Sequence, residues 1–184
     1  TVTITEHNFS SDRVQINLTA TDNGNPSALP TISGWSSNGD RHSATINFSN
    51  DSLYSFDITF TDQAGNVSED FQQQTFYVDK TPPSIEITGV TNNSANKGDV
   101  IPVITYFDTN YDDSQVTITL TGANRNGVPI EGSFTNIANG KRFTFQNFEK
   151  VKEMDDIYTL TVTLTDRAGN SSTETINFSV NRFG

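Results

Sequence analysis

The chain carries two copies of one pattern, and this limits its fold more than any other feature. Thr61-Asp-Gln-Ala-Gly-Asn66 and Thr165-Asp-Arg-Ala-Gly-Asn170 match at an offset of 104. Each follows an alternating run that begins with a tyrosine, Tyr54 or Tyr158. Upstream, residues 8–19 align with residues 110–121 at an offset of 102, and downstream Phe76-Tyr-Val78 aligns with Phe178-Ser-Val180 at the same offset. Between them, Gly39-Asp-Arg41 is set against Gly140-Lys-Arg142, which puts His42 opposite Phe143. Several blocks recurring in one order mark a structural repeat. The joint is Val78-Asp-Lys-Thr-Pro-Pro83, whose adjacent prolines cannot donate to a ladder and stiffen the chain. Two domains are expected, 1–79 and 80–184. Thr1 aligns with Val103, and nothing in the first copy corresponds to residues 81–102, which hold the strand-like Ser84-Ile-Glu-Ile-Thr-Gly-Val90. The first domain is therefore expected to lack its opening strand and to expose a free sheet edge or an uncovered apolar groove. The chain reads as a piece of a longer array.

Strands follow from alternation. Tyr158, Leu160, Val162 and Leu164 alternate with threonines, and Tyr54, Phe56, Ile58 and Phe60 alternate with Ser55, Asp57, Thr59 and Thr61. Val14, Ile16 and Leu18 do the same, as do Val116, Ile118 and Leu120. A period of two with one apolar side belongs to antiparallel sheets with one face in a core and one in water. The second copy shows seven such runs, near 84–90, 101–107, 115–121, 128–134, 142–148, 157–165 and 173–180. Turn signals part them at Asn92-Asn-Ser, Lys97-Gly-Asp, Asn126-Gly and Asn139-Gly. Residues 148–156 look helical but read as a surface loop with one helical turn. Seven short strands in about a hundred residues predict an all-β fold: two tandem immunoglobulin-like β-sandwiches. Asp156-Ile-Tyr158 fits the tyrosine corner of that fold. Leu160, with Phe56 as its counterpart, stands where antibody domains carry their second cysteine.

Composition narrows the function. The 184 residues carry 11 Lys and Arg against 22 Asp and Glu, a net charge of -11. Nucleic acid and anionic lipid are poor partners for such a chain. The first 79 residues hold ten acids and two bases, so the charge is concentrated there. Only 33% of residues are hydrophobic, but 26 are threonine and 10% are aromatic, which is strand chemistry rather than disorder. No run is long enough for a membrane helix. The absence of cysteine excludes disulfides, thiol nucleophiles and zinc fingers.

The sequence resembles the bacterial immunoglobulin-like domains, which occur in tandem on large secreted and cell-wall-anchored proteins, mostly of Gram-positive bacteria. The resemblance rests on Val2-Thr-Ile-Thr-Glu-His-Asn-Phe9, Ser33-Gly-Trp35 with Gly39-Asp-Arg-His42, the Tyr54 to Asn66 hairpin and the Asp79-Lys-Thr-Pro-Pro83 junction. The second copy keeps the hairpin but lacks the Trp and both His. The resemblance implies an extracellular, cell-surface or cell-wall module that is a spacer or adhesin, with neighbouring domains of the same longer chain as its partners. A cell-surface glycan or a host protein is the alternative partner. No cofactor is implied.

Each candidate site has a structural reading beside it. Asp62, Gly65 and Asn66, repeated as Asp166, Gly169 and Asn170, are expected to close a hairpin, the glycine supplying positive φ and the aspartate accepting N–H groups. Asp108, Asp112 and Asp113 offer oxygens for calcium. The matching loop of the first copy keeps one carboxylate, so a solvated acidic loop is the preferred reading. Trp35 is expected in the core; exposed, it would stack on a sugar. Trp35, Tyr106, Phe107 and Tyr111 are the aromatics available for ligand contact. His7 and His42 lack metal-ligand spacing, and no Gly-x-Ser-x-Gly marks a nucleophile. The chain is expected to be non-catalytic.

Overall fold

The computed structural model describes residues 1–125 and 127–184; the turn signal at Asn126 lies outside the described residues. The chain divides into two compact units, Thr1–Lys80 and Thr81–Gly184. Both are all-β immunoglobulin-like sandwiches.

In unit 1 the strands are β1 (Val2–Thr5), β2 (Val14–Asp22), β3 (Asn25–Pro26), β4 (Thr31–Ile32), β5 (Ser36–Asn38), β6 (Arg41–Ala44), β7 (Ile46–Asn47), β8 (Ser52–Phe60) and β9 (Gln74–Val78). One sheet has the order β1-β6-β5 and the other β3-β2-β8-β9, with β4 and β7 paired apart from them. Unit 2 holds β10 (Ser84–Thr88), β11 (Ser94–Asn96), β12 (Val103–Phe107), β13 (Val116–Gly122), β14 (Gly132–Ile137), β15 (Gly140–Phe145), β16 (Asp156–Thr165) and β17 (Ser171–Val180). Its sheets are β10-β12-β15-β14 and β11-β17-β16-β13. The helix-like stretch contributes one short 3-10 turn, Lys152–Met154.

Alternation sets the faces. Along β16, Tyr158, Leu160, Val162 and Leu164 are all fully buried. The threonines between them face outward and pair across to β17: Thr161 with Thr175 at 3.1 Å, Thr163 with Thr173 at 3.0 Å and Thr165 with Ser171 at 2.7 Å. Such cross-strand hydroxyl pairs add a few tenths of a kcal/mol each, about 0.2–1. Both corner tyrosines are in place, Tyr158 donating to the Met154 carbonyl and Tyr54 to that of Asn50, each at 2.8 Å.

The structure corrects three sequence expectations. The Gly39-Asp-Arg41 block is two residues out of register. Val2 faces Ala44 while its counterpart Ile104 faces Phe143, so this strand repeats at an offset of 99 and His42 corresponds to Lys141. The run read at 128–134 becomes a strand at Gly132–Ile137, because Val128-Pro-Ile130 is interrupted by a proline that lacks the ladder N–H. And β11 forms at Ser94–Asn96, where the sequence signals a turn.

The two units differ most where unit 2 has its opening segment. There β10 pairs with β12, and β11 runs parallel to β17. In unit 1 the corresponding outer edge of β1 carries no strand among the described residues. A second difference lies in the last strand. Its early half forms a backbone bridge only at Thr61 to Val67 among the described residues, and Gln74 then faces Phe56. Unit 1 has two more residues here than unit 2, where Ser171 faces Thr165 and Ile176 faces Leu160. That insertion is why the repeat offset falls from 104 to 102, and it leaves residues 69–73 outside the ladder while Phe71 still packs on Phe56 of β8.

Candidate functional site

The twin hairpins are nearly superimposable in their bonding. Asp62 Oδ1 accepts the Asn66 N–H and its Oδ2 accepts the Asn66 side-chain amide, both at 2.7 Å. Asp166 does the same with Asn170 at 2.9 Å and also accepts the Ala168 N–H at 2.8 Å. Gly65 and Gly169 both sit at φ 92°, a conformation in which a Cβ would be strained. The side chain and backbone of Asn66 hold the Asp62 carboxyl below the usual carboxylate range. Both aspartates spend both carboxylate oxygens on the turn itself.

The three acidic residues after β12 part company. Asp112 caps the turn at Asp113–Gln115 by accepting from Ser114 N at 3.0 Å and Ser114 Oγ at 2.8 Å, which lowers its pKa. Asp113 accepts from Tyr106 Oη at 3.1 Å and pairs with Lys141. Asp108 is buried and accepts the Asn110 N–H at 2.7 Å. Its carboxylate lies within 4.8 Å of the buried Asp166. One calcium ion could bridge oxygens at that separation, but both groups already accept turn N–H bonds.

The aromatic candidates are also separated by burial. Tyr106 is fully buried, Trp35 and Tyr111 are half-buried, and Phe107 is 48% exposed. Trp35 lies against Phe9 at 5.2 Å, and Phe9 stacks on His42 at 4.0 Å. His42 Nε2 donates to the Glu6 carbonyl at 2.8 Å, which leaves Nδ1 to accept from Ser37 Oγ at 2.7 Å. A carbonyl stands where a catalytic triad would have its carboxylate. His7 pairs with Asp40 at 3.0 Å.

Burial pushes the Tyr106 phenol well above the usual tyrosine range, and the Asp113 charge adds to it; burial raises Tyr158 in the same direction. An unfolded tyrosine ionises near pH 10. Above that pH the unfolded chain sheds protons that the folded one keeps. The two groups therefore stabilise unit 2 fully below about pH 10 and cease to as pH rises through their folded values. In an absorbance titration, Tyr106 and Tyr158 are expected to ionise only as unit 2 unfolds. A smooth ionisation of both near pH 10 with the fold intact would contradict this.

Two further features emerge only in three dimensions. One is a cavity of about 620 Å³ in unit 1, between β1, β8 and residues 62–71. Val2, Ile4, Phe56, Ile58, Phe60 and Phe71 line it, with Phe71 edge-on to Phe56 at 5.5 Å. The other is the β11·β17 ladder, flanked by asparagines. Asn92 Oδ1 accepts the Asn177 N–H at 2.8 Å, Asn96 Nδ2 donates to the Ser179 carbonyl at 3.0 Å, and Asn181 N donates to the Asn96 carbonyl at 2.9 Å. The sequence showed Asn92-Asn-Ser only as a turn; the repeated Asn at 92, 93 and 96 was the available signal.

Among known proteins, the model of a family described as bacterial Ig-like domain (group 3) matches residues 41–181. No curated protein matches. A solved structure titled "Anomalous substructure of Titin-A168169" is 13% identical, with 94% of this chain and 86% of that one covered and a TM-score of 0.42. "Titin Ig tandem domains A164-A165" is 12% identical, with 90% and 82% covered and a TM-score of 0.35. No helix among the described residues is long and apolar enough to cross a membrane.

Proposed function

The chain belongs to the bacterial Ig-like domain family, group 3, and from that premise we propose that it is a non-catalytic, load-bearing spacer of a larger extracellular bacterial protein. One observation carries the proposal. In unit 2, β11 near the chain's entry runs parallel to β17 near its exit. Tension drawn between the two ends of the unit pulls these parallel strands in opposite directions along their own axes. The ladder bonds are then loaded together in shear instead of being opened one at a time. The threonine face of β16 and β17, whose hydroxyls pair with each other, keeps that sheet surface polar and wetted. The dispersal of Trp35, Tyr106, Phe107 and Tyr111 between core and surface supports the spacer over the adhesive alternative, since sugar binding calls for a row of exposed aromatics. A glycan and host-protein array tests the choice. No specific binding at high protein concentration is expected; a saturable hit lost on Phe107→Ala would replace the spacer with an adhesin.

A further inference from the structure

We propose that Met154 is an oxidation site built into unit 2: a hydroperoxide transfers one oxygen to its thioether, and Arg125 receives the sulfoxide oxygen in place, so that the unit keeps its fold. This goes beyond the spacer role.

Met154 holds the only sulfur atom of the chain, which has one methionine and no cysteine. It closes the 3-10 turn Lys152–Met154 in the corner that anchors β16. Its carbonyl accepts the Tyr158 hydroxyl at 2.8 Å, and its N–H donates to the Val151 carbonyl at 3.0 Å. The backbone is thereby fixed, while the side chain lies half-buried against the core of unit 2. The sulfur is not sealed in. Met154 lines a surface cavity of about 280 Å³ together with Arg125, Val128, Phe145 and Phe148. A water takes up about 30 Å³, so a small hydroperoxide has room to enter.

Arg125 is half-buried beside the sulfur, and its Nη1 donates to Met154 Sδ at 2.7 Å. A thioether is a weak acceptor, so a guanidinium aimed at one is poorly matched. Oxidation improves the match. The sulfur lone pair attacks one peroxide oxygen and the O–O bond breaks. The departing oxygen takes the proton of the transferred one and leaves as water, or as an alcohol from an organic hydroperoxide. Sulfur is oxidised and the peroxide is reduced. The new sulfoxide oxygen is a far better acceptor than the sulfur was, and a charged donor already stands against it. A sulfoxide formed in a core without such a donor disrupts the packing around it.

The test treats the whole chain with hydrogen peroxide. Peptide mapping by mass spectrometry is expected to find one added oxygen, at Met154. Hydrogen exchange then reads the protection of the β16 amides, Asp156–Thr165. In the unsubstituted chain oxidation should lower that protection by no more than about twofold. In Arg125→Ala the same oxidation should lower it about tenfold further, for want of one charge-assisted hydrogen bond. Arg125→Lys keeps a cationic donor and should recover most of that difference. Each variant is compared with itself before and after oxidation, so the cost of the substitution alone cancels. An unreacted Met154 in the folded chain, under conditions that fully oxidise a peptide of residues 148–158, would overturn the proposal. So would an equal loss of protection with and without Arg125, which would make the sulfoxide an ordinary lesion.

Discussion

Gly140→Val is expected to cost unit 2 about 3 kcal/mol or more and to lower its melting midpoint by more than about 10 °C. Gly140 opens β15 directly opposite Phe107 on β12. A Cβ there would lie 2.0 Å from the Tyr106 carbonyl oxygen and 2.7 Å from the Phe107 Cα. Both are backbone atoms of the neighbouring strand, so no side chain can move aside to make room. The strands must separate where Tyr106 and Phe143 enter the core. Opening that contact also removes the floor on which Ile85 and Ile87 rest. Gly98→Val is the control in the same unit: a Cβ there meets nothing within 4 Å. It should change stability by no more than about 0.5 kcal/mol. Chemical denaturation followed by tryptophan-independent far-UV signal reads both, because Trp35 lies in unit 1.

Asn96→Pro is expected to abolish the mechanical strength of unit 2 while leaving most of its thermal stability. Asn96 faces Val180 in the three-residue β11 ladder, its carbonyl accepts from Asn181 N and its side-chain amide donates to the Ser179 carbonyl. Proline carries no N–H for that ladder and no side-chain amide. The buried core of β12, β15, β16 and β17 is untouched by the change. Thermal stability is a sum over that core, whereas resistance to pulling depends on the few bonds that lie between entry and exit. The substitution separates the two. Unit 1 is a natural reference, since β9 pairs only with β8 and carries no parallel strand on its other side among the described residues.

What could be read from the sequence was whatever depends on local pattern. The alternation of Tyr158 to Leu164 fixed which face is buried, and the Thr-Asp-x-Ala-Gly-Asn frames predicted hairpins because the turn bonds lie within the motif. Residues 81–102 have no match in the first copy, and the outer edge of β1 accordingly carries no strand among the described residues. Features set by pairing between distant strands were not visible. β11 has only three residues and almost no apolar content, so its existence depends on β17. The two-residue slip of His42 is hidden in the sequence because Gly-x-Arg recurs by composition, while the true register is dictated by Ala44 and Phe143 facing Val2 and Ile104. Asp108, Asp112 and Asp113 looked like one cluster because they are close in sequence. The chain turns between them, sending Asp108 inward toward Asp166 and leaving Asp112 to cap a turn. The shift of offset from 104 to 102 was in plain view, and it recorded the bulge beside the unit 1 groove.

The load-bearing claim is tested most directly by single-molecule force spectroscopy on the whole chain, held at Thr1 and Gly184. Two unfolding events are predicted: an early, weak one releasing the length of unit 1, and a later, much stronger one releasing the length of unit 2. In Asn96→Pro the second event should fall to the force of the first. Equal forces for the two units in the unsubstituted chain, or a strong event that survives Asn96→Pro, would contradict the account.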